Sequence, residues 1–156
     1  IAGLGFTAQG NFTGSYYRRL EASEDQEVAW IFEGIDEEII GGFGLSGGGA
    51  AGFELDRVDY RLGTPEEVVI IARSENHDNE TVLVPEEMLT HVTNWAKEST
   101  EDLIRADMIY YKALGGGQIF STGSITYCGS LPWNGGDNNI SHLTMNVLKR
   151  FLEGPI

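Results

Sequence analysis

Cysteine is almost absent from this 156-residue chain: Cys128 stands alone. No internal disulfide can form, so a disulfide-stapled secreted scaffold is excluded and a reducing, cytoplasmic setting is expected. Basic residues are also scarce, ten Lys and Arg against 24 Asp and Glu, for a formal net charge of −14. A phosphate backbone needs clustered cations, whereas adjacent basic pairs occur here only at Arg18/Arg19 and Lys149/Arg150. Nucleic acid is therefore not an expected partner, and neither is an anionic membrane surface. No uninterrupted apolar run approaches the roughly 20 residues that a membrane helix requires. Lysine first occurs at Lys97, beyond the glycine-rich part of the chain, which excludes a phosphate loop of the Walker type.

What is present fits one folded domain over residues 1–156. Hydrophobic residues make up 41%, and a chain of this length buries roughly 68–70% of its unfolded surface. The chain opens on Ile1 without a signal-like or transit-like segment, from which we expect a piece of a longer polypeptide. N-x-[ST] sequons at Asn11, Asn79 and Asn139 are short enough to be chance matches. Glycine is abundant at 21 residues, seven of them between Gly41 and Gly52, about twice the average usage of ~7%. Glu21 to Glu38 holds eight acidic residues and no basic one, yet encloses Val28, Trp30, Ile31 and Phe32. A short buried element with solvated acidic flanks accounts for it.

Four β-prone runs stand out at Phe53 to Tyr60, Val68 to Ala72, Met108 to Lys112 and Gln118 to Tyr127, each bounded by turn or charged residues. Val68 to Ala72 is apolar throughout, the pattern of a strand covered on both faces. Pro85, Glu86 and Glu87 start a helix whose apolar positions Met88, Leu89, Val92 and Trp95 keep helical spacing. A final helix carries the stripe Ile140, Leu143, Val147, Leu148 and Phe151. Asn138 or Asn139 caps it, Lys149/Arg150 lie near its negative end, and Gly154-Pro155 stops it. Leu114 to Gly117 reads as a hairpin turn. The expected fold is α/β, a layered mixed sheet flanked by helices.

Gly42-Phe43-Gly44-Leu45-Ser46-Gly47 satisfies G-x-G-x-x-G, and Gly44 to Gly48 satisfies G-x-S-x-G around Ser46. Both motifs need a helix at the glycines, and the following residues read as strand, so close backbone packing explains this run better. Cys128 lacks a nucleophile signature and reads as a small apolar residue, and His91 and His142 fall on helices. The densest polar cluster is Ser74-Glu75-Asn76-His77-Asp78-Asn79-Glu80, directly after the apolar strand. Ligands in open α/β sheets sit beyond the carboxyl ends of strands, which makes this loop the expected site. Glu75 and His77 share a face if the backbone stays extended, and a carboxylate beside an imidazole suits general acid–base work on an amide or a water. The ligand types Glu75, His77, Asp78 and Glu80 occur without paired-His or Cys/His spacing, so a metal held by this loop alone is not expected.

Several segments, in order along nearly the whole chain, carry a family resemblance. They are Trp30 to Gly34, Gly48 to Asp59, Leu62 to Pro65, Ser74-Glu75-Asn76-His77, Arg105 to Met108, Phe120 to Ile125 and Asp137 to Asn139. Together they resemble the C-terminal part of the large (beta) subunit of N,N-dimethylformamidase and its relatives. The resemblance implies a fold similar to class I glutamine amidotransferases (flavodoxin-like). It also implies a parent enzyme that hydrolyses N,N-dimethylformamide to dimethylamine and formate with a mononuclear iron. The iron ligands, two tyrosines and a glutamate, are then expected upstream of this chain. Expected partners are a small amide substrate, the upstream domains, a small alpha subunit and further copies of the enzyme. Glu75 is the candidate base and His77 its neighbour. The cysteine nucleophile usual in the amidotransferase fold has no counterpart here, so glutaminase chemistry is not implied.

Overall fold

A computed structural model describes residues 2–90 and 99–154. Its organising element is a 15-residue strand, β1 (Gly5–Arg19). β1 runs through the centre of a seven-stranded sheet and is paired on both edges along both of its halves. The first half lies between β3 (Ala51–Arg57) and β5 (Val82–Leu83), with Ala8 opposite both Leu55 and Leu83. The second half lies between β2 (Ile39–Ile40) and β4 (Val69–Glu75), with Tyr17 opposite both Ile40 and Ser74. Beyond β4 the sheet continues through β6 (Asp107–Lys112) to β7 (Gln118–Ser121). The expected hairpin joins these two, with Ala113 N–H donating to the Gly117 carbonyl at 2.8 Å.

Strands and helices are both present, as an α/β composition requires, but every strand pairing among the described residues is antiparallel. The expected mixed sheet is thereby corrected, and the described strands form no parallel βαβ unit of the flavodoxin type. The misleading signal was Val68 to Ala72, whose unbroken apolarity suits a parallel strand. It is apolar because β4 sits between β1 and β6 with a core on each side. Ile71 packs into the main cluster with Tyr17, Met108 and Leu143, while Val68 and Ile70 join Val58, Ile109 and Tyr111 on the other face.

Four α-helices accompany the sheet among the described residues: α1 (Pro85–Glu87), α2 (Thr100–Leu103), α3 (Tyr127–Ser130) and α4 (Asn139–Leu152). α4 forms where the sequence predicts it, although Leu148 of the expected apolar stripe points outward and is 51% exposed. The Asn138 carboxamide oxygen accepts from Ser141 N–H at 2.9 Å, and Ile140, Leu143 and Val147 are buried. Of the helix expected from Pro85 to Trp95, the start is α1, whereas Val92, Trp95 and His91 lie outside the described residues. The run Gln118 to Tyr127 is divided between β7 and α3, because Gly123 turns the chain at φ +68°. A Cβ there would lie 2.6 Å from the Asp107 carbonyl oxygen. The acidic segment forms two short 3₁₀ turns, and Val28, Ile31 and Phe32 are buried beneath exposed acids as expected.

The glycine-rich segment is a packing device. Gly14, Gly49 and Gly52 bring three backbone stretches together, and a Cβ on Gly52 would stand 2.6 Å from the Thr13 carbonyl oxygen. Leu45 N–H donates to the Gly129 carbonyl at 2.9 Å, and the chain passes from this turn into β3 instead of a helix. Neither a dinucleotide loop nor a nucleophile elbow at Ser46 has its required helix here.

Candidate functional site

A cleft of about 720 Å³ opens at the carboxyl end of β4, walled by Arg73 to Asn79 and Thr81 on one side and by Glu101, Asp102, Ile104 and Arg105 on the other. Antiparallel pairing places the two walls together, since Arg73 of β4 lies opposite Asp107 at the start of β6. Glu75 and His77 both line this cleft. They reach it by different routes, because Asn76 between them takes a left-handed conformation at φ +58° and ends the extended alternation. Asn adopts that conformation more readily than most residues.

Glu75 is the last residue of β4, and its carboxylate turns across the sheet. Arg18 Nε donates to both of its oxygens at 3.0 Å, and the Tyr16 hydroxyl reaches Oε2 at 3.4 Å. The Ser15 hydroxyl also donates to the Glu75 main-chain carbonyl. The carboxylate side chain remains 40% exposed, which leaves lone pairs open to the cleft. Arg18 is itself shared with Glu38, and hydrogen bonds to Glu38 and then Glu75 raise its pKa above the ordinary value.

His77 folds back on its own strand, with Nε2 2.7 Å from the Ser74 hydroxyl. That hydroxyl is buried and already accepts the Ala106 N–H at 2.6 Å. The hydroxyl still has a proton to give and a second lone pair to accept with, so the contact fixes the ring in place with either tautomer. Burial lowers the imidazole pKa to about 4, against a smaller opposing effect of Asp78. At neutral pH His77 is thus a neutral ring. It also lines a second recess of about 270 Å³, whose other walls include Tyr16, Gly42, Gly48 and Asp78. Asp78 is held ionised by the Thr13 hydroxyl first, then by Thr81 and the Glu80 amide.

Three charged residues of this region, Arg73, Arg105 and Asp107, were not singled out as site residues by the sequence. Asp107 is completely buried and accepts from Arg73 Nε at 2.8 Å, Arg105 Nε at 3.1 and 3.3 Å, and Val58 N–H at 2.9 Å. Arg105-Ala106-Asp107 stands directly before an apolar run, and two opposite charges at the entry to a buried strand are the signal that could have found it. The remaining sequence candidates stand elsewhere. Cys128 is exposed on α3, and His142 Nε2 is 3.3 Å from Asp137. Among the described residues, no group of three or more His, Cys, Asp and Glu is arranged to hold a metal ion, and no helix is long and apolar enough to cross a membrane.

The family model for the C-terminal part of N,N-dimethylformamidase beta subunit-like proteins matches residues 1–140. The chain belongs to this family. Its sequence is 42% identical over 155 residues to the N,N-dimethylformamidase beta subunit of Alcaligenes sp, and 40% identical over 154 residues to that of Paracoccus aminophilus. Each match takes in 98% of this chain and 20% of the relative, so the chain spans about a fifth of the length of these proteins. The residues of the cleft, from Arg73 to Arg105, all lie inside the matched region.

Proposed function

We propose that this chain is the C-terminal domain of an amide hydrolase acting on N,N-dimethylformamide or a similar small amide, and that its cleft contributes Glu75 and His77 to a site completed by the rest of the polypeptide. The observation that carries this reading is the convergence of a carboxylate and a neutral imidazole on one cleft, in a family named for amide hydrolysis. Hydrolysis of an amide needs a proton taken from water and negative charge stabilised on the carbonyl oxygen. Glu75 suits the first of these roles, because Arg18 orients its carboxylate while leaving it partly open to solvent. His77 suits the second. In this role the Ser74 hydroxyl donates to Nε2 and the ring, held neutral by burial, presents Nδ1–H as a hydrogen-bond donor; preorganised donors of this kind favour the charged transition state.

The iron implied by the family resemblance, with its tyrosine and glutamate ligands, belongs in this proposal to the rest of the polypeptide. Among the described residues no group of three or more His, Cys, Asp and Glu is arranged to hold a metal ion, and neither role given to Glu75 or His77 passes through iron. The cytoplasmic setting and assembly with a small alpha subunit or further copies are likewise part of the proposal. Dimethylamine release by the full-length protein tests it. Glu75→Gln keeps an acceptor for Arg18 yet is expected to lower turnover by at least ~10²-fold without loss of fold, the usual scale for a general base. Turnover equal to the parent's would refute the role.

A second reading is a non-catalytic assembly module. One observation favours it: Met145, Leu148 and Leu152 of α4 are 50%, 51% and 88% exposed, at a spacing that puts them on one helix face. Under this reading the chain self-associates in sedimentation, and substitutions in the cleft leave amide turnover unchanged.

A further inference from the structure

Two arginine clusters of this molecule are generously supplied with carboxylates, and a third is not. Arg57 pairs with Asp59 and Glu87, and Arg18 with Glu38 and Glu75. Arg73 and Arg105 share a single carboxylate, Asp107. Both reach it through Nε, which leaves the outer edges of the two guanidinium groups for other work. Among the described residues, the terminal nitrogens of Arg73 have no partner, while one of Arg105 donates to the Asp102 carbonyl and the other has none. The Arg105 side chain is only 17% exposed and that of Arg73 38%, and both line the 720 Å³ cleft. A largely buried cation is costly unless its charge is matched. One positive charge of this trio is unmatched, inside a chain whose overall charge is −14. Burial pulls the Arg105 pKa below its ordinary value, as expected for a cation short of compensation.

We infer that Arg73 and Arg105, aligned by the buried Asp107, form a binding site for a small monocarboxylate on the wall of the cleft. A planar carboxylate matches the fork of a guanidinium edge and accepts two parallel N–H bonds. The remaining charges of the cleft narrow the class of ligand. Four further carboxylates line the cleft, Glu101 and Asp102 on the Arg105 wall and Glu75 and Asp78 on the Arg73 wall, and they repel a dianion more strongly than a monoanion, which favours carboxylate over phosphate. The inference does not rest on the hydrolase reading, because binding is measured without turnover.

The test is a titration of the full-length protein with ¹³C-labelled formate and acetate, followed by NMR line broadening, with phosphate as the competing class. Saturable binding of both carboxylates, tighter than that of phosphate, is expected. Arg73→Gln should weaken it at least tenfold; that residue is partly exposed, so the variant is expected to fold with Asp107 still paired to Arg105. Arg105→Lys, which keeps the charge and loses the fork, should weaken binding as well. Glu101→Gln/Asp102→Asn should strengthen it several-fold. The inference fails if neither carboxylate saturates the parent protein, if phosphate binds as well as acetate, or if Arg73→Gln binds like the parent. Binding seen only in Glu101→Gln/Asp102→Asn would show that the chain's own carboxylates fill the pair, and would equally overturn it.

Discussion

At the scale of single residues, His77 ties chemistry to stability. Its folded pKa is about 4, below the ordinary 6.5, because burial disfavours the imidazolium. The unfolded chain therefore binds more protons than the folded one between these two values, and folding stability falls as pH drops through that window. Urea unfolding at a series of pH values should show this slope in the parent and a reduced slope in His77→Gln. Equal slopes would mean that the ring is not buried as described. The sequence places its candidate site in the polar loop after the apolar strand, and a cleft opens at that loop. The relation of Glu75 to His77 was not legible there, because it depends on the left-handed turn at Asn76. The Arg73–Asp107–Arg105 trio was illegible for another reason: its members lie on strands joined only by long-range register. Phe53, at φ +66° beside a register shift between β1 and β3, is a further local choice that no pattern of residue types announces.

At the scale of elements, predictability followed the strength of the local signal. α4 combines a helical stripe with an Asn cap and was read from sequence to within a residue or two. β1 was missed altogether, although it is the longest strand, because Gly5, Gly10 and Gly14 interrupt any run of β-formers. Of these, Gly14 serves the close backbone contacts where β1 changes partners. Gly52→Ala places a methyl group against the Thr13 carbonyl and the Gly14 Cα, 2.6 and 2.7 Å away. We expect a loss of about 1–3 kcal/mol, as in overpacked interiors, measured by denaturant unfolding. The link from β3 to α1 runs through Arg57, buried and bonded to Thr7, Asp59, Glu87 and the Val58 carbonyl. Removing one partner of a buried ion pair costs about 3–5 kcal/mol, so Arg57→Met should be among the most destabilising single changes, read by the same unfolding assay.

At the scale of the whole molecule, charge sets the behaviour. With 24 acidic residues and ten basic ones, mutual repulsion opposes the compact state, and the screening length shortens to about 10 Å at 0.1 M salt. Unfolding free energy should therefore rise as sodium chloride is increased from low ionic strength. A fall would show that the few ion pairs outweigh the repulsion. The sheet has a consequence of a mechanical kind. β1 is clasped on both edges by strands from four later parts of the chain. A load drawn along it would have to shear those ladders together rather than unzip one hairpin. The cleft hangs from that same strand through Tyr16 and Arg18, which hold Glu75, so a pull on the neighbouring chain would reach Glu75 through a stiff support rather than a yielding one.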